Sequence, residues 1–345
     1  MHIFSGGQPD FFGLDIGSGG LRVVQLRKAK QAKSLLRYGE VALKLDLDNP
    51  SASAQALAQA ISQLVKKTDI TTKNVVANLP SNKAFTTIID MPRLNPAETA
   101  KAIAYQAASL IPMALEQSKL DWAVIGPSPS DPTKVEVLLS SVPKDFVEGR
   151  LNVLEAAGFN VLAFEPDGMA LARSLPPAEA SEPYLLLDMG HQASDLVIAV
   201  GGTAKLARAV PLGADQVIKA AMANLNIEEA QAEQFVFKFG LSQDKLEGQI
   251  RGAIQTTIDG LAAELDKSIK FFATRYPGAK ISKLIVTGGA STLPELPLYL
   301  ANKFSLSVEI GNAWRNVMPG SVKQDELMAV SNRFAVAVGL AERDV

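Results

Sequence analysis

Apolar and polar positions divide this chain into short strands and amphipathic helices, and one strand–turn–strand unit occurs twice. Phe12-Gly13-Leu14-Asp15-Ile16-Gly17-Ser18-Gly19-Gly20-Leu21-Arg22-Val23-Val24 carries an apolar strand into Asp-x-Gly, turns through small residues and leaves on another apolar strand. Leu185-Leu186-Leu187-Asp188-Met189-Gly190-His191-Gln192-Ala193-Ser194-Asp195-Leu196-Val197 repeats the plan about half a chain later. Two copies of one loop at that distance predict two related halves facing each other across a phosphate-bearing ligand.

Between the copies, Ser51 to Lys67 reads as a helix with Leu57, Ile61, Leu64 and Val65 on one face. Val75 to Leu79 reads as a short buried strand, and Ala84 to Met91 as a strand ending at Pro92. Asn95-Pro96-Ala97-Glu98 starts a helix: Asn95 caps, Pro96 has no N–H to lose, and Glu98 sits at capping-box distance. Its expected apolar face is Ala100, Ile103, Ala104, Ala107 and Leu110. Val135, Val137 and Leu139 mark a half-buried strand, and a helix runs from Pro143 to Gly158. The block from about 83 to 163 is therefore an expected inserted α+β subdomain. Arg27 to Lys33 reads as a solvated turn or strand end, while Pro127–Pro132 and Ser174–Pro183 are the candidate linkers.

In the second half, Tyr184 to Asp188, Asp195 to Val200 and Thr203 to Leu212 read as strands, with Gly201-Gly202 as a hairpin turn. From Asp244 to Tyr276, apolar residues recur at helical spacing, in one long helix or two separated by a kink near Gly248, Gly252 or Gly260. Lys283 to Val286 is a buried strand that breaks at Thr287-Gly288-Gly289-Ala290, with a helix start at Leu293-Pro294-Glu295-Leu296.

The composition removes several function classes. The 345 residues suffice for two cores, and a net charge of −2 gives no electrostatic ground for nucleic acid. No cysteine excludes disulfides and cysteine–zinc sites, and two histidines disfavour a histidine metal centre. Neither a signal-length apolar run near Met1 to Asp10 nor any stretch approaching ~20 apolar residues is present, so an intracellular location is expected, with membrane contact through a partner.

The glycine turns carry the candidate chemistry. Gly17, Gly19 and Gly20 let backbone approach a ligand, so that successive N–H groups and the Ser18 hydroxyl face phosphate oxygens. Arg22 adds a cation, and Asp15 at the strand end suits magnesium, which prefers oxygen ligands and keeps several waters. The plain alternative is a glycine-rich hairpin. The second copy favours the phosphate site: Asp188 and Gly190 restore the turn, and Gln192 and Ser194 offer polar groups. His191 is either an exposed turn residue or a proton-transfer group. Gly288, Gly289, Ala290 and the helix start behind them suit a base, ribose or α-phosphate, or form an ordinary strand-to-helix turn. No P-loop or dinucleotide fingerprint competes.

In this order the motifs resemble the actin-like ATPases, and within them the PilM family of type IV pilus assembly, related to the division protein FtsA. The resemblance covers about residues 12–342. It is carried by Gly13-Leu14-Asp15-Ile16-Gly17-Ser18 with Arg22-Val23-Val24-Gln25-Leu26, by Val142-Pro143-Lys144 with Leu154-Glu155-Ala156-Ala157-Gly158, and by Pro211-Leu212-Gly213-Ala214-Asp215-Gln216 and Phe334 to Ala341. It implies an α/β, actin-like (ribonuclease H-like, duplicated) two-lobed fold. The lobes would span 1–182, holding the insertion, and 183–345, holding a helical subdomain at about 213–280.

It further implies ATP and Mg2+ as ligands. Asp15 would hold the metal through water, with Asp188 as its counterpart. Ser18 to Arg22 would grip the β- and γ-phosphates, and Asp188 to Ser194 would close from the other half. Gly213 and Gln216 would lie near phosphate or ribose, Glu233 near ribose or adenine, and Gly288 to Ala290 near adenosine. Three departures from the family pattern bear on this: the first keeps the charge, and the other two remove implied ATP contacts, which argues against tight ATP binding and hydrolysis while leaving the fold intact. Arg22 replaces a lysine, His191-Gln192-Ala193 replace threonines, and Val236 replaces an adenine-side lysine.

The implied function is a cytoplasmic, nucleotide-dependent platform at the inner face of the membrane. Its partner would be the N-terminal peptide of a PilN-like inner-membrane protein, bound in a groove involving the insertion, with other pilus proteins and self-association as further contacts. Two alternatives stand beside it. A phosphotransferase of the same fold needs a base, for which Glu165 and Asp167 are the candidates, each equally a helix cap. An FtsA-like polymerising scaffold would end in a basic amphipathic membrane helix, whereas this sequence stops at Ala341-Glu342-Arg343-Asp344-Val345.

Overall fold

A computed structural model describes residues 9–29, 32–43 and 50–344. The stretch before residue 9 and the centre of the Arg27–Lys33 turn lie outside the described residues. The first Asp-x-Gly unit forms β1 (Phe12–Gly17) and β2 (Gly20–Ala29), paired antiparallel with Asp15 opposite Arg22. β3 (Ala32–Ala42) continues the antiparallel run, α1 (Pro50–Lys67) covers one face with Leu57, Ile61, Leu64 and Val65, and β4 (Asn74–Leu79) lies parallel to β1.

The chain then leaves this sheet. β5 (Phe85–Pro92), α2 (Pro96–Leu110), β6 (Ser118–Pro127) and β7 (Lys134–Pro143) form a small antiparallel sheet of order β5-β7-β6 under one helix. Both arms of the capping box close at the start of α2: the Glu98 amide donates to Asn95 Oδ1 at 3.0 Å and the Asn95 amide to Glu98 Oε2 at 3.3 Å. The buried stripe of α2 is Thr99, Ile103 and Ala107, narrower than expected, and Ala100, Ala104 and Leu110 face solvent. A single helix on a three-stranded sheet needs only one row of contacts.

α3 (Lys144–Ala156), β8 (Asn160–Pro166) and α4 (Asp167–Ser174) follow. α3 and β8 fall inside the block expected as the insertion, yet they build the first lobe. Val153 and Leu154 of α3 are buried with Leu57 and Ile61 of α1, and β8 pairs parallel with β4 to complete the order β3-β2-β1-β4-β8. The inserted layer proper is the small sheet and α2.

The second lobe repeats the topology. β9 (Tyr184–Met189), β10 (Ser194–Val200) and β11 (Thr203–Val210) are antiparallel neighbours. After α5 (Ala214–Leu225), α6 (Glu229–Phe239) and α7 (Gln249–Arg275), β12 (Lys283–Thr287) pairs parallel with β9. α8 (Leu296–Phe304) and β13 (Ser307–Ile310) complete the order β11-β10-β9-β12-β13. α7 is one helix, begun after Gly248, so the glycines do not divide it. α9 (Gln324–Met328) and α10 (Ala335–Ala341) end the fold.

Two short helices join the lobes. α4 leaves the first sheet and packs against β10 and β11, whereas α10 leaves the second lobe and packs against β1 and β2. They cross so closely that a Cβ at Gly339 would overlap the Ala170 carbonyl. The core around them draws Val24 and Val76 from one lobe and Leu186 and Val197 from the other. Neither candidate linker is a free tether. Residues 127–132 make the β6–β7 turn, where the Ser128 amide bonds to Lys134 O at 3.1 Å. In the 174–183 stretch, the Asn316 amide group donates to Pro176 O at 2.9 Å and its carbonyl accepts from the Ala178 amide at 3.1 Å.

Candidate nucleotide-binding cleft

The two Asp-x-Gly turns face each other across a cavity of about 560 Å3 between the lobes. Parallel β1 and β9 sit at equivalent places in their sheets, so both turns emerge on the same side of the α4–α10 crossing. Asp15, Gly17, Ser18, Gly19 and Arg22 line the cavity from the first lobe, and Asp188, Gly190, His191, Gln192 and Ala193 from the second. Glu233 contributes from α6, and Gly288, Gly289 and Ala290 from the turn after β12. Gly288 has φ +89°, and a Cβ there would overlap the Asp188 carboxylate, so only glycine lets this turn seat on the second Asp.

Four expected site residues stand behind the lining. Gly20 packs against the Val41 carbonyl. Ser194 is fully buried and its hydroxyl donates to Leu212 O. The Gly213 amide donates to Gln216 Oε1 at 2.7 Å, and the next two amides of α5 bond to Gly190 O and His191 O at 3.0 and 2.9 Å. Ser194, Gly213 and Gln216 thus brace the second turn. The helix start expected at Leu293 to Leu296 is present, with α8 beginning at Leu296, but Glu295 and Leu298 line a different cavity. Val236 is buried in the second-lobe core, and the cleft position one turn beyond Glu233 belongs to Phe237.

Glu165 does not reach the cleft. Its carboxylate accepts from Arg173 Nη1 at 3.1 Å and from Arg173 Nη2, with Arg343 at 3.7 Å, inside a separate groove of about 370 Å3. A carboxylate held by two guanidinium groups on the far side of α4 is not placed to act as a base on a ligand in the cleft. Asp167, two residues on and first in α4, does line it.

The sequence comparison overlooked several residues that set the electrostatics. Asn78, buried on β4, accepts the Ile16 amide at 2.7 Å and donates to Asp15 Oδ1 at 3.3 Å and Asp167 Oδ1 at 2.8 Å. Arg22 pairs with Asp15 at 3.2 Å and approaches Glu40 at 3.6 Å. Arg333, on the segment entering α10, clamps Glu40 with bonds of 2.6 and 3.1 Å and bridges the lobes at the cleft mouth. Asp195 also lines the cavity, directly across the β9–β10 ladder from Asp188. A signal for it exists: Asp15 and Arg22 are seven residues apart and cross-strand partners, and superposing the repeats puts Asp195 where Arg22 stands. The first hairpin carries a neutralised pair and the second a pair of like charges.

Four carboxylates therefore meet Arg22 in a buried space, and their protonation responds. Burial raises the Asp15 pKa against the opposing pull of Arg22. Burial, then Asp195 and Asp15, pushes Asp188 up to about 8. Burial pushes Asp195 to about 7, and Asp167 lies well above the usual carboxylate range from burial and the neighbouring carboxylates. The cleft has capacity for added positive charge. Among the described residues no three carboxylate or histidine groups converge to ligate an ion directly. The arrangement fits a hydrated divalent cation whose remaining ligands are water and ligand oxygens, the usual habit of magnesium.

Twin ribonuclease H-like sheets, crossing helices between them and a glycine- and aspartate-lined cleft define the actin-like ATPase fold class. Solved structures agree. The PilM–PilN type IV pilus biogenesis complex matches with a TM-score of 0.83 at 23% identity, over 97% of this chain and 98% of that one. EutJ from Carboxydothermus hydrogenoformans matches at 0.58 and 12% identity, over 97% and 90%. AMPPNP-bound MreB5 of Spiroplasma citri matches at 0.56 and 12%, over 96% and 95%. The family model described as type IV pilus assembly protein PilM matches residues 13–345, and the chain belongs to that family.

Proposed function

We propose that the protein is an ATP-binding platform of type IV pilus assembly, on which Mg-ATP sets the angle between the lobes and a PilN-like inner-membrane protein docks through its cytoplasmic N-terminal peptide. The observation that carries the nucleotide half is the carboxylate-rich cleft closed by two opposed glycine hairpins. Asp15 and Asp188 would hold a hydrated Mg2+. Amides of Gly17 to Gly19, Ser18 Oγ and Arg22 would take the β- and γ-phosphates, with His191 to Ala193 opposite. Glu233 and Phe237 would lie along the ribose and base, and Gly288 to Ala290 against the adenosine. AMPPNP in the structurally similar MreB5 supports the ligand class.

ATP would be retained rather than turned over quickly. Burial and neighbouring carboxylates raise the Asp167 pKa well above the usual carboxylate range and its Oδ1 is held by Asn78, while Glu165 is occupied by Arg173 and Arg343, so neither carboxylate is free to serve as a fast base. For the peptide, the groove beside Glu165 is the candidate. Leu120 and Trp122 of the insert, Phe164 and Met169 of the first lobe, and Ala204 of the second wall it. Its relative in the pilus complex is solved with PilN, which supports the partner class. Among the described residues no helix is long and apolar enough to cross a membrane, and contact with the inner face would come through that partner.

Calorimetric titration with Mg-ATP, followed by the PilN-like N-terminal peptide with and without nucleotide, tests the proposal. Saturable heat from ATP that disappears in Asp15→Ala, and peptide affinity that changes with nucleotide, are expected. No heat from ATP, or equal ATP binding by Asp15→Ala, overturns the phosphate-site assignment; rapid phosphate release overturns retention.

A further inference from the structure

The insert grows out of the first lobe but is fastened to the second. Glu136, near the start of β7 and 1% exposed, accepts from Tyr276 Oη at 2.6 Å, from Lys205 Nζ at 2.7 Å, and from Arg275 Nε and Nη2 at 3.2 and 3.1 Å. Asp90 on β5 pairs with Arg275 at 3.0 Å, and Lys205 also reaches Ile125 O at 3.4 Å. Lys205 stands on β11, and Arg275 and Tyr276 close α7, so every donor to Glu136 comes from the second lobe. Two carboxylates meet two cations, leaving the cluster neutral.

The insert's apolar core does not extend into this contact. The insert's core comprises Ile89, Met91, Ile103, Ala107, Ile111, Val137 and Leu139, and among the described residues no second-lobe side chain joins it. A buried ion cluster adds little net stability but strongly selects one arrangement, because a parted ion must be rehydrated as a set. That combination suits an element with two discrete positions.

The cluster also borders the groove. Leu138, two residues from Glu136, and Ala204, next to Lys205, both line it. α4 runs from the cleft, lined by Asp167, to the groove, lined by Met169 and Arg173. Moving the lobes about α4 and α10 to close on a nucleotide therefore strains the fastening at the groove's edge.

We propose that Glu136, Lys205, Arg275 and Tyr276 form a latch through which the lobe angle controls the width of the groove, and so transmits nucleotide occupancy to peptide affinity. This rests on the platform reading above. The latch is a positioning device and touches neither ligand.

The cysteine-free chain permits a direct test. Labels placed by Tyr105→Cys on α2 and Phe271→Cys on α7, both exposed, report the insert-to-second-lobe distance by paired-spin or fluorescence measurement. In the otherwise native protein this distance is narrow and shifts on adding Mg-ATP; in Glu136→Gln it lengthens and broadens, while Mg-ATP binds at least as tightly as to the native protein, because the strain of closure is relieved. Peptide affinity that responds about tenfold to Mg-ATP in the native protein should respond less than about twofold in Glu136→Gln, the loss of an ordinary coupling energy. Tyr276→Phe, which removes one hydrogen bond, gives an intermediate distance shift and keeps the test decisive if Glu136→Gln melts early. Unchanged distances in both variants overturn the latch; a longer distance with nucleotide response intact overturns its role in coupling. A native protein that ignores the peptide instead overturns the platform reading, while the distances still judge the latch.

Discussion

Asp15 and Asp188 occupy equivalent turns, but their cross-strand partners are Arg22 and Asp195, and that single difference sets the chemistry of the cleft. Asp188 and Asp195, pushed to about 8 and about 7, bind protons in the folded protein that they lose in the unfolded chain, where a carboxylate titrates near 3.8. Their contribution to stability is therefore fully present below about 3.8 and is lost as pH rises through about 7 to 8. Thermal melts of the ligand-free protein from pH 5 to 9 should fall across that window. Asp188→Asn should flatten the decline and raise the melting temperature at pH 8 by roughly 1–3 °C, the scale of a 1–2 kcal/mol gain in a protein of this size. Mg2+ should do the same without mutation, since it favours the ionised pair; its affinity by calorimetry should rise with pH over the same interval. A flat profile for the native protein would contradict the protonated pair.

The elements that matter most are two of the shortest. α4 and α10 each belong by chain order to one lobe and by packing to the other, so the lobes cannot part without unpacking Ala170 from Gly339. Gly339→Ala should force the crossing apart and destabilise by about 1–3 kcal/mol, the usual penalty of overpacking; denaturant unfolding checks the loss. The same variant should weaken Mg-ATP binding although Gly339 does not line the cleft, because the turns would no longer oppose each other at the right spacing. By contrast, Asn95→Ala breaks the α2 capping box at a cost of about 1 kcal/mol. With α2 packed on the insert's own core, that change should leave ATP heats untouched.

Across the whole molecule, the cleft and the groove are separate cavities that both meet α4, and Glu165 belongs to the second. Glu165→Gln should leave ATP binding within error of the native value while weakening peptide binding; the reverse pattern would restore the phosphotransferase alternative. On the proposed reading Mg-ATP bridges the lobes, so at one hundred times its dissociation constant it should stabilise the protein by about 2.7 kcal/mol. The melting temperature should rise accordingly, and Asp15→Ala should abolish the rise.

Much of this was legible in order of residues. The paired Asp-x-Gly hairpins marked the fold, the cleft and most of its lining because glycine spacing and strand alternation are local properties, written within a dozen residues. The capping box at Asn95 was legible for the same reason. What failed was positional: the stripe of α2, the outer boundary of the insertion, the side of α4 on which Glu165 falls, and the cavity that the start of α8 faces. Each depends on which neighbour a face meets, and periodicity alone is silent on that. Asn78, Glu40 and Arg333 were missed because they reach the site from strands and segments far apart in the chain. The sequence by itself determined that two similar Asp-x-Gly turns exist, the first carrying Ser18-Gly19-Gly20 and the second His191-Gln192-Ala193. Only the tertiary structure decided that they oppose each other across four buried carboxylates, and that a polar latch ties the insert to the other lobe. Charge balance and burial are sums over everything folded around a point, and such sums exist only once the chain has closed on itself.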